Sequence, residues 1–224
     1  MEDVSYVVQI ITNIFLIVGT FFAVFQYKKQ KKLAKIDNAI GLSKYFATKM
    51  INKIEFLYSV FLSKPDIMDI IKKHTEEIEN ASDFTKVECD SIFTEDEKQK
   101  YSDFIKTVIP LGNAKKITVE RLMNDVMNEF EHCSMSFNTG IAEDTAVYQS
   151  MHQVIFNIFP CFYPYICSIN GEPIDKYYTH LCELYARWNR IKQKAIKKQT
   201  KANKKVEKCK RKNKNVGQIK RPKV

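Results

Sequence analysis

The sequence predicts an all-α protein in four parts. These are an N-terminal segment with a single transmembrane helix (1–27), a basic juxtamembrane segment (28–35), a cytoplasmic helical bundle (36–189) and a lysine-rich tail, disordered or helical (190–224). Three observations lead to this reading. Val4 to Phe25 runs for 22 residues without a charged side chain. Beyond it, apolar residues recur at helical spacing between proline and glycine turns. From about Ala195 onward the chain is dense in lysine and loses that apolar period.

As a helix, Val4–Phe25 is about 33 Å long, enough to cross a hydrocarbon layer of about 30 Å. Glu2 and Asp3 precede it, and Lys28, Lys29, Lys31, Lys32 and Lys35 follow within ten residues. The positive-inside rule then places the N-terminus outside the cell membrane and the rest in the cytoplasm, with those five lysines at the membrane surface. A cleaved signal peptide would need a basic leading region and a small-residue cleavage site, and neither is present. Ser5, Gln9, Thr12, Gly19 and Ala23 share one face of this helix. Small and amide side chains permit close helix approach, so the span offers a route to self-association.

Charge is unevenly divided. Residues 187–224 hold 17 Lys/Arg and one acid, Glu207, and residues 28–35 hold five lysines and no acid. The segment between them, 36–186, has 14 basic and 23 acidic side chains. The overall charge of +10 therefore describes the flanks, and a basic nucleic-acid-binding domain is not implied. The six cysteines include no C-x-x-C pair and fall on the side expected to be reducing, so they read as small hydrophobes rather than a disulfide framework.

From Leu33 a seam with heptad steps runs through Ile36, Ile40, Ser43, Ala47, Met50, Ile54, Leu57 and Phe61. It reads as the first core helix of a bundle more readily than as a coiled-coil stalk. No proline interrupts Phe25–Phe61, so the membrane helix can continue into it, with Gly41 the weak point. Pro65 opens a helix over Asp66–Lys73. Residues 74–93 read mostly as loop, with a helical turn at Glu76–Asn80. Thr94 and Glu97 have capping-box spacing at the head of a helix through Lys106. Ile109–Asn113 reads as a turn, and no strand is expected.

Thr118 caps a helix whose apolar face is Val119, Leu122, Met123, Val126, Met127, Phe130, Cys133 and Phe137. Gly140 suits the left-handed position after it. Glu143 and Asp144 begin the next helix, with Val147, Met151, Val154, Ile155 and Ile158 facing inward. Pro160 and Pro164 imply a kink or break. Asn170–Pro173 is a turn, and a last helix runs from Ile174 through Tyr178, Leu181, Leu184, Tyr185, Trp188 and Ile191. Phe130, Phe137, Ile155, Leu181 and Trp188 are expected to be buried together.

Asn128–Glu131 (NEFE), Asn138–Asp144 (NTGIAED), Val147–Met151 (VYQSM), Pro164–Ile166 and Leu184–Trp188 (LYARW) form a motif set. With the N-terminal anchor, it resembles a bacterial family of membrane-anchored cytoplasmic helical domains of unknown function. The resemblance covers the anchor and roughly the last third of the domain, and residues 64–116 are unmatched. It implies a fold and a location and transfers no catalytic residue.

Chemistry is sparse. Glu129-x-x-His132 matches half of a di-iron bundle pattern, but the second motif is missing, since Gln149 rather than an acid precedes His152 by three. His132 beside Cys133, and His180 near Cys182, lack zinc-ligand spacing. Phosphate-loop, dinucleotide and nucleophile-elbow motifs do not occur. The expectation is a non-enzymatic, membrane-anchored interaction or accessory protein with no cofactor. Its partners would be the lipid bilayer, an unidentified protein and its own transmembrane helix. The alternative is a nucleic-acid-associated membrane protein acting through the tail. The tail either meets an anion, lipid first and nucleic acid second, through Lys197, Lys198, Lys204, Lys205, Lys208, Lys210, Arg211 and Lys212, or stays a solvated extension whose charge keeps it soluble.

Overall fold

The computed structural model describes the backbone of residues 2–111, 115–171 and 176–216, and the side chains of 15–111, 115–171 and 176–210. Among these the chain is helical apart from one pair of short strands and the connecting turns and loops. Helix α1 (Glu2–Tyr45) runs through a π-turn (Phe46–Met50) into α2 (Ile51–Leu62). Four shorter helices follow: α3 (Pro65–Lys73), α4 (Thr75–Asn80), α5 (Lys86–Ile92) and α6 (Glu95–Ile105). Strands β1 (Val108–Leu111) and β2 (Lys115–Thr118) lead to α7 (Val119–Asn138). A 3-10 turn (Asp144–Ala146) precedes α8 (Tyr148–Ile169) and α9 (Thr179–Val216).

Helices α2, α7, α8 and the first part of α9 form the core. Along α7, Asn124 meets Tyr178, Glu131 meets His180 and Leu181, and Phe137 meets Trp188, so α7 and α9 run parallel. Lys35 lies beside Gly140, Phe46 packs on Phe130, and Phe61 reaches Tyr101, whose hydroxyl contacts Met123. The α1–α2 rod is therefore antiparallel to α7. Helix α8 is antiparallel to α9, pairing Tyr148 with Trp188 at one end and Asn170 with Tyr177 at the other. Phe130, Phe137, Ile155, Leu181 and Trp188 are all buried, as the apolar periods require.

Several helix ends follow directly from local sequence. Pro65 stands at the start of α3. Thr94 and Glu97 make both bonds of a capping box at α6, and Thr118 accepts from the Arg121 N–H at α7. Gly140 takes φ +70°, a conformation that disfavours any side chain.

The structure corrects other expectations. Val108–Leu111 and Lys115–Thr118 pair as antiparallel strands, with Val108 opposite Thr118 and Leu111 opposite Lys115, where a turn and no strand were expected. Pro110 is tolerated because a two-stranded ribbon has an edge on each strand. Residues 112–114, part of the expected turn, lie outside the described residues. Residues 74–93 contain two short helices rather than mostly loop. Helix α5 is held by Thr85 accepting from the Glu88 N–H and by Glu88 accepting from the N–H groups of Ser82, Asp83 and Phe84. Glu143 and Asp144 open a 3-10 turn, and α8 begins only at Tyr148. Pro160 and Pro164 sit inside an unbroken α8, both buried, and the Tyr101 hydroxyl donates to the Cys161 carbonyl between them at 2.6 Å. Helix α9 begins at Thr179; Ile174 lies outside the described residues.

The seam after Leu33 is a core helix, but its register shifts. Ala39 and Phe46 are buried while Ile40 and Ala47 are exposed, and Met50, Ile54, Leu57 and Phe61 are buried as expected. The π-turn at Phe46–Met50 accounts for the shift, since it adds one residue to a turn. Gly41 lies within continuous α1.

Among the described residues no helix is long and apolar enough to cross a membrane. Residues 4–14 of the expected span, including Ser5, Gln9 and Thr12, lie outside the described side chains.

Candidate functional site

The end of the bundle where α1 joins and α9 leaves is built by the loop after α7. Glu131 accepts from the N–H groups of His180 and Leu181 at 3.1 and 2.8 Å, capping the positive end of α9 with a carboxylate. Asn138, at the end of α7, donates to the His180 carbonyl and accepts from Arg187 Nη1 at 2.8 Å. Past Gly140, Asn38 of α1 donates to the Ile141 carbonyl at 3.1 Å, and the Glu143 N–H donates to the Lys35 carbonyl at 3.1 Å. The next residue, Asp144, accepts from Arg187 Nε at 2.9 Å and from Trp188 Nε1 at 3.1 Å. Two adjacent residues thus tie α1 to α9. The NTGIAED and LYARW segments, 43 residues apart at this bond, meet at Asp144. Sequence reasoning gave Asp144 only a helix-start role, because its partners are remote in the chain.

Two unlike helical surfaces leave this end. On α1, Phe15 (72% exposed), Leu16, Ile17, Val18, Phe21, Phe22, Val24 and Phe25 all face outward, covering every side of the helix. Lys28, Lys29, Lys31 and Lys32 follow, all exposed. Lys35 is half-buried, and a Cβ built on Gly140 would stand 3.5 Å from its Nζ. On α9, Lys197, Lys198, Lys204, Lys205, Lys208 and Lys210 are exposed on a continuous helix, so the tail is helical through Val216. The side chains of Arg211 and Lys212 lie outside the described residues.

A family model for a domain of unknown function, DUF4760, matches residues 13–188. The chain belongs to the DUF4760 family. No curated protein matches the chain, and no solved structure does. The matched DUF4760 region takes in the second half of the apolar stretch, the lysines of 28–35 and the bundle, and it ends on Trp188, the residue bonded to Asp144. The tail from Arg190 lies outside it.

Within the DUF4760 domain several carboxylates, Glu97 and Glu129 among them, are held by neighbouring donors. Glu97 is nearly buried. Burial alone would raise its pKa, but hydrogen bonds from Lys73 (2.7 Å), from the N–H and hydroxyl of Thr94 and from His74 (3.2 Å) bring it down to about 2. Glu129 accepts from the Tyr45 hydroxyl and lies 3.8 Å from Lys53, while His132 points to solvent. His152 Nδ1 lies 2.6 Å from the Tyr148 carbonyl, and Asn138 Nδ2 stands 3.4 Å from His180 Nδ1. Among the described residues no three His, Cys, Asp or Glu converge on a metal position.

All six cysteines are free thiols, five buried and Cys209 exposed. Burial pushes Cys161 up to about 12 and Cys133 up to about 11. The hydrogen bond between Cys89 and Cys167 lowers the former and raises the latter. A groove of about 410 Å³ lies between the head of α9 and the 82–84 loop, lined by Phe84, Tyr177, Glu183, Arg187 and Arg190 among others. Phe84 and Tyr178, flanking it, take φ of 53° and 58°.

Proposed function

We propose that this DUF4760 chain is a membrane-anchored, non-enzymatic helical module that acts by binding. In this reading α1 crosses the bilayer once, with the N-terminus outside and the bundle in the cytoplasm. The observation that carries it is the outward-facing apolar surface of α1 from Phe15 to Phe25, which no other part of the chain covers among the described residues. A helix apolar on every side is stable in hydrocarbon and costly in water. The uncharged sequence continues back to Val4, and the exposed lysines after Phe25 favour retention on the cytoplasmic side. A binding role rather than catalysis is supported by the use of Glu88, Glu97, Glu131 and Asp144 to hold helix ends and junctions. Partner chemistry on the protein side is a cytoplasmic protein or a second copy meeting α1 in the bilayer.

Membrane fractionation tests this. The chain is expected to stay with membranes through high salt and alkaline carbonate and to be released by detergent. Phe15→Arg, near the centre of the span, disfavours insertion by about 2.5–3.5 kcal/mol and shifts protein to the soluble fraction. Quantitative release of the unmodified chain by salt alone would overturn the anchor.

A further inference from the structure

From the shared exit of the two helices we infer that the lysine-rich extension of α9 reaches the anionic lipid surface of the same membrane that α1 enters. The inference rests on the anchor reading above. Helix α7 is antiparallel to the α1–α2 rod and parallel to α9, so the N-terminal part of α1 and the C-terminal part of α9 leave the bundle from one end. The Glu143–Asp144 bridge, bonded to Lys35 on one side and to Arg187 and Trp188 on the other, holds the two exits together.

Reach agrees with direction. From Lys35 back to Phe25 the rod is about 15 Å long, which sets the stand-off of the bundle from the hydrocarbon. From Arg190 to Lys210 α9 extends about 30 Å, more than enough to bring its side chains to the headgroups.

Charge identifies the partner. Residues 190–210 carry ten Lys/Arg against Glu207 alone. Lys192 is paired with Glu79 at 2.7 Å, but among the described residues no carboxylate pairs with Lys197, Lys198, Lys201, Lys204, Lys205 or Lys208. Lysines four apart, such as Lys194 and Lys198, Lys197 and Lys201, or Lys204 and Lys208, repel along the isolated helix. The acidic bundle is the obvious partner within the chain, yet α9 carries these lysines away from it. An anionic leaflet removes the repulsion and attracts each lysine within a Debye length. Single-stranded nucleic acid would add base stacking, and no aromatic residue follows Trp188 to supply it.

Cys209 provides the probe, being the one exposed cysteine of six. Full-length protein labelled there with a spin label is reconstituted into vesicles of phosphatidylcholine alone and of phosphatidylcholine with phosphatidylglycerol. Flotation with both kinds reports the anchor. The tail contact predicts label immobilisation only in the anionic vesicles, with tryptic cleavage of 190–210 slowed roughly tenfold, and reversal at high salt. Joint replacement of Lys197, Lys198, Lys201, Lys204, Lys205 and Lys208 by Gln abolishes the effect while flotation persists. Equal label mobility and cleavage in both vesicles, with the protein inserted in both, overturns the inference alone. So does displacement of the tail from anionic vesicles by single-stranded RNA at physiological salt. Failure to float with either vesicle overturns the anchor reading and this inference with it.

Discussion

Trp188 and Phe15 are both large aromatic side chains on long helices, yet Trp188 is wholly buried and Phe15 is 72% exposed. Trp188 is packed against Phe137 and Tyr148, and its indole N–H donates to Asp144. Phe15 belongs to a helix segment that no other part of the described chain touches. The same contrast separates Glu131, which closes the head of α9, from Lys204, which is exposed and pairs with no carboxylate among the described residues. Inside the bundle, side chains are explained by other side chains of the same sequence. On the two projecting helices no neighbouring side chain among the described residues explains them, and a surrounding medium is proposed instead, apolar for one helix and anionic for the other.

The largest test of this contrast is Trp188→Ala. It removes a fully buried aromatic and one of two donors to Asp144, and should cost about 3–5 kcal/mol of a total near 5–15 kcal/mol. Denaturant unfolding in detergent measures the loss, and membrane flotation of the variant should be unchanged.

Acid titration sharpens the same point from the polar side. Against burial, hydrogen bonds from Lys73, Thr94 and His74 hold the folded Glu97 pKa at about 2, below its ordinary 4.5, and because solvent screens the exposed Lys73 the contribution is below about 3 kcal/mol. Because the folded value is the lower one, this stability is present above pH 4.5 and is lost as pH falls toward 2. Glu97→Gln should be less stable at neutral pH and should lack that part of the acid dependence, read from denaturation midpoints across a pH series.

Asp144→Asn is the smallest and most local change. It keeps an oxygen for Trp188 but removes the charge facing Arg187, for a loss of about 2 kcal/mol. Faster hydrogen exchange at the neighbouring Glu143 N–H would show that the tie between α1 and α9 has loosened, whereas unchanged exchange would mean that Asp144 does not hold the junction.

Sequence legibility followed the range of the interaction. The caps at Thr94 and Thr118, the proline at the head of α3 and the glycine after α7 act within one turn, and the local sequence announces them. The spacing of Thr85 and Glu88 matches that of Thr94 and Glu97 and could have announced α5 as well. The strand pair was harder, because its four-residue strands contain Pro110 and alternate only weakly. In α8 the proline rule was overridden: Pro160 and Pro164 lie in a run of buried residues from Ile158 to Cys167, where surrounding packing holds the helix together. The Asp144 junction was invisible for a different reason. Its donors, Arg187 and Trp188, come from another helix, and no periodicity connects them. The motifs it joins were visible as strings but not as neighbours.

The π-turn at Phe46–Met50 has a mechanical side. It holds one more residue than a regular turn would, and each residue of an α-helix advances the side chains by about 100° around the axis. The azimuth of α1 relative to α2 is therefore set at this turn, and Asn38, Lys35 and the buried Ala39 hold it against the loop after α7. Since the helix is continuous on both sides of the turn, rotation of α1 by a neighbour would be transmitted as torque to Phe46 and Met50, which are buried against the core. Removing a single residue from 46–50 would turn α1 by about 100° against α2, so that Asn38 and Lys35 lose their places beside Ile141 and Glu143 and the outer length of α1 presents a different face.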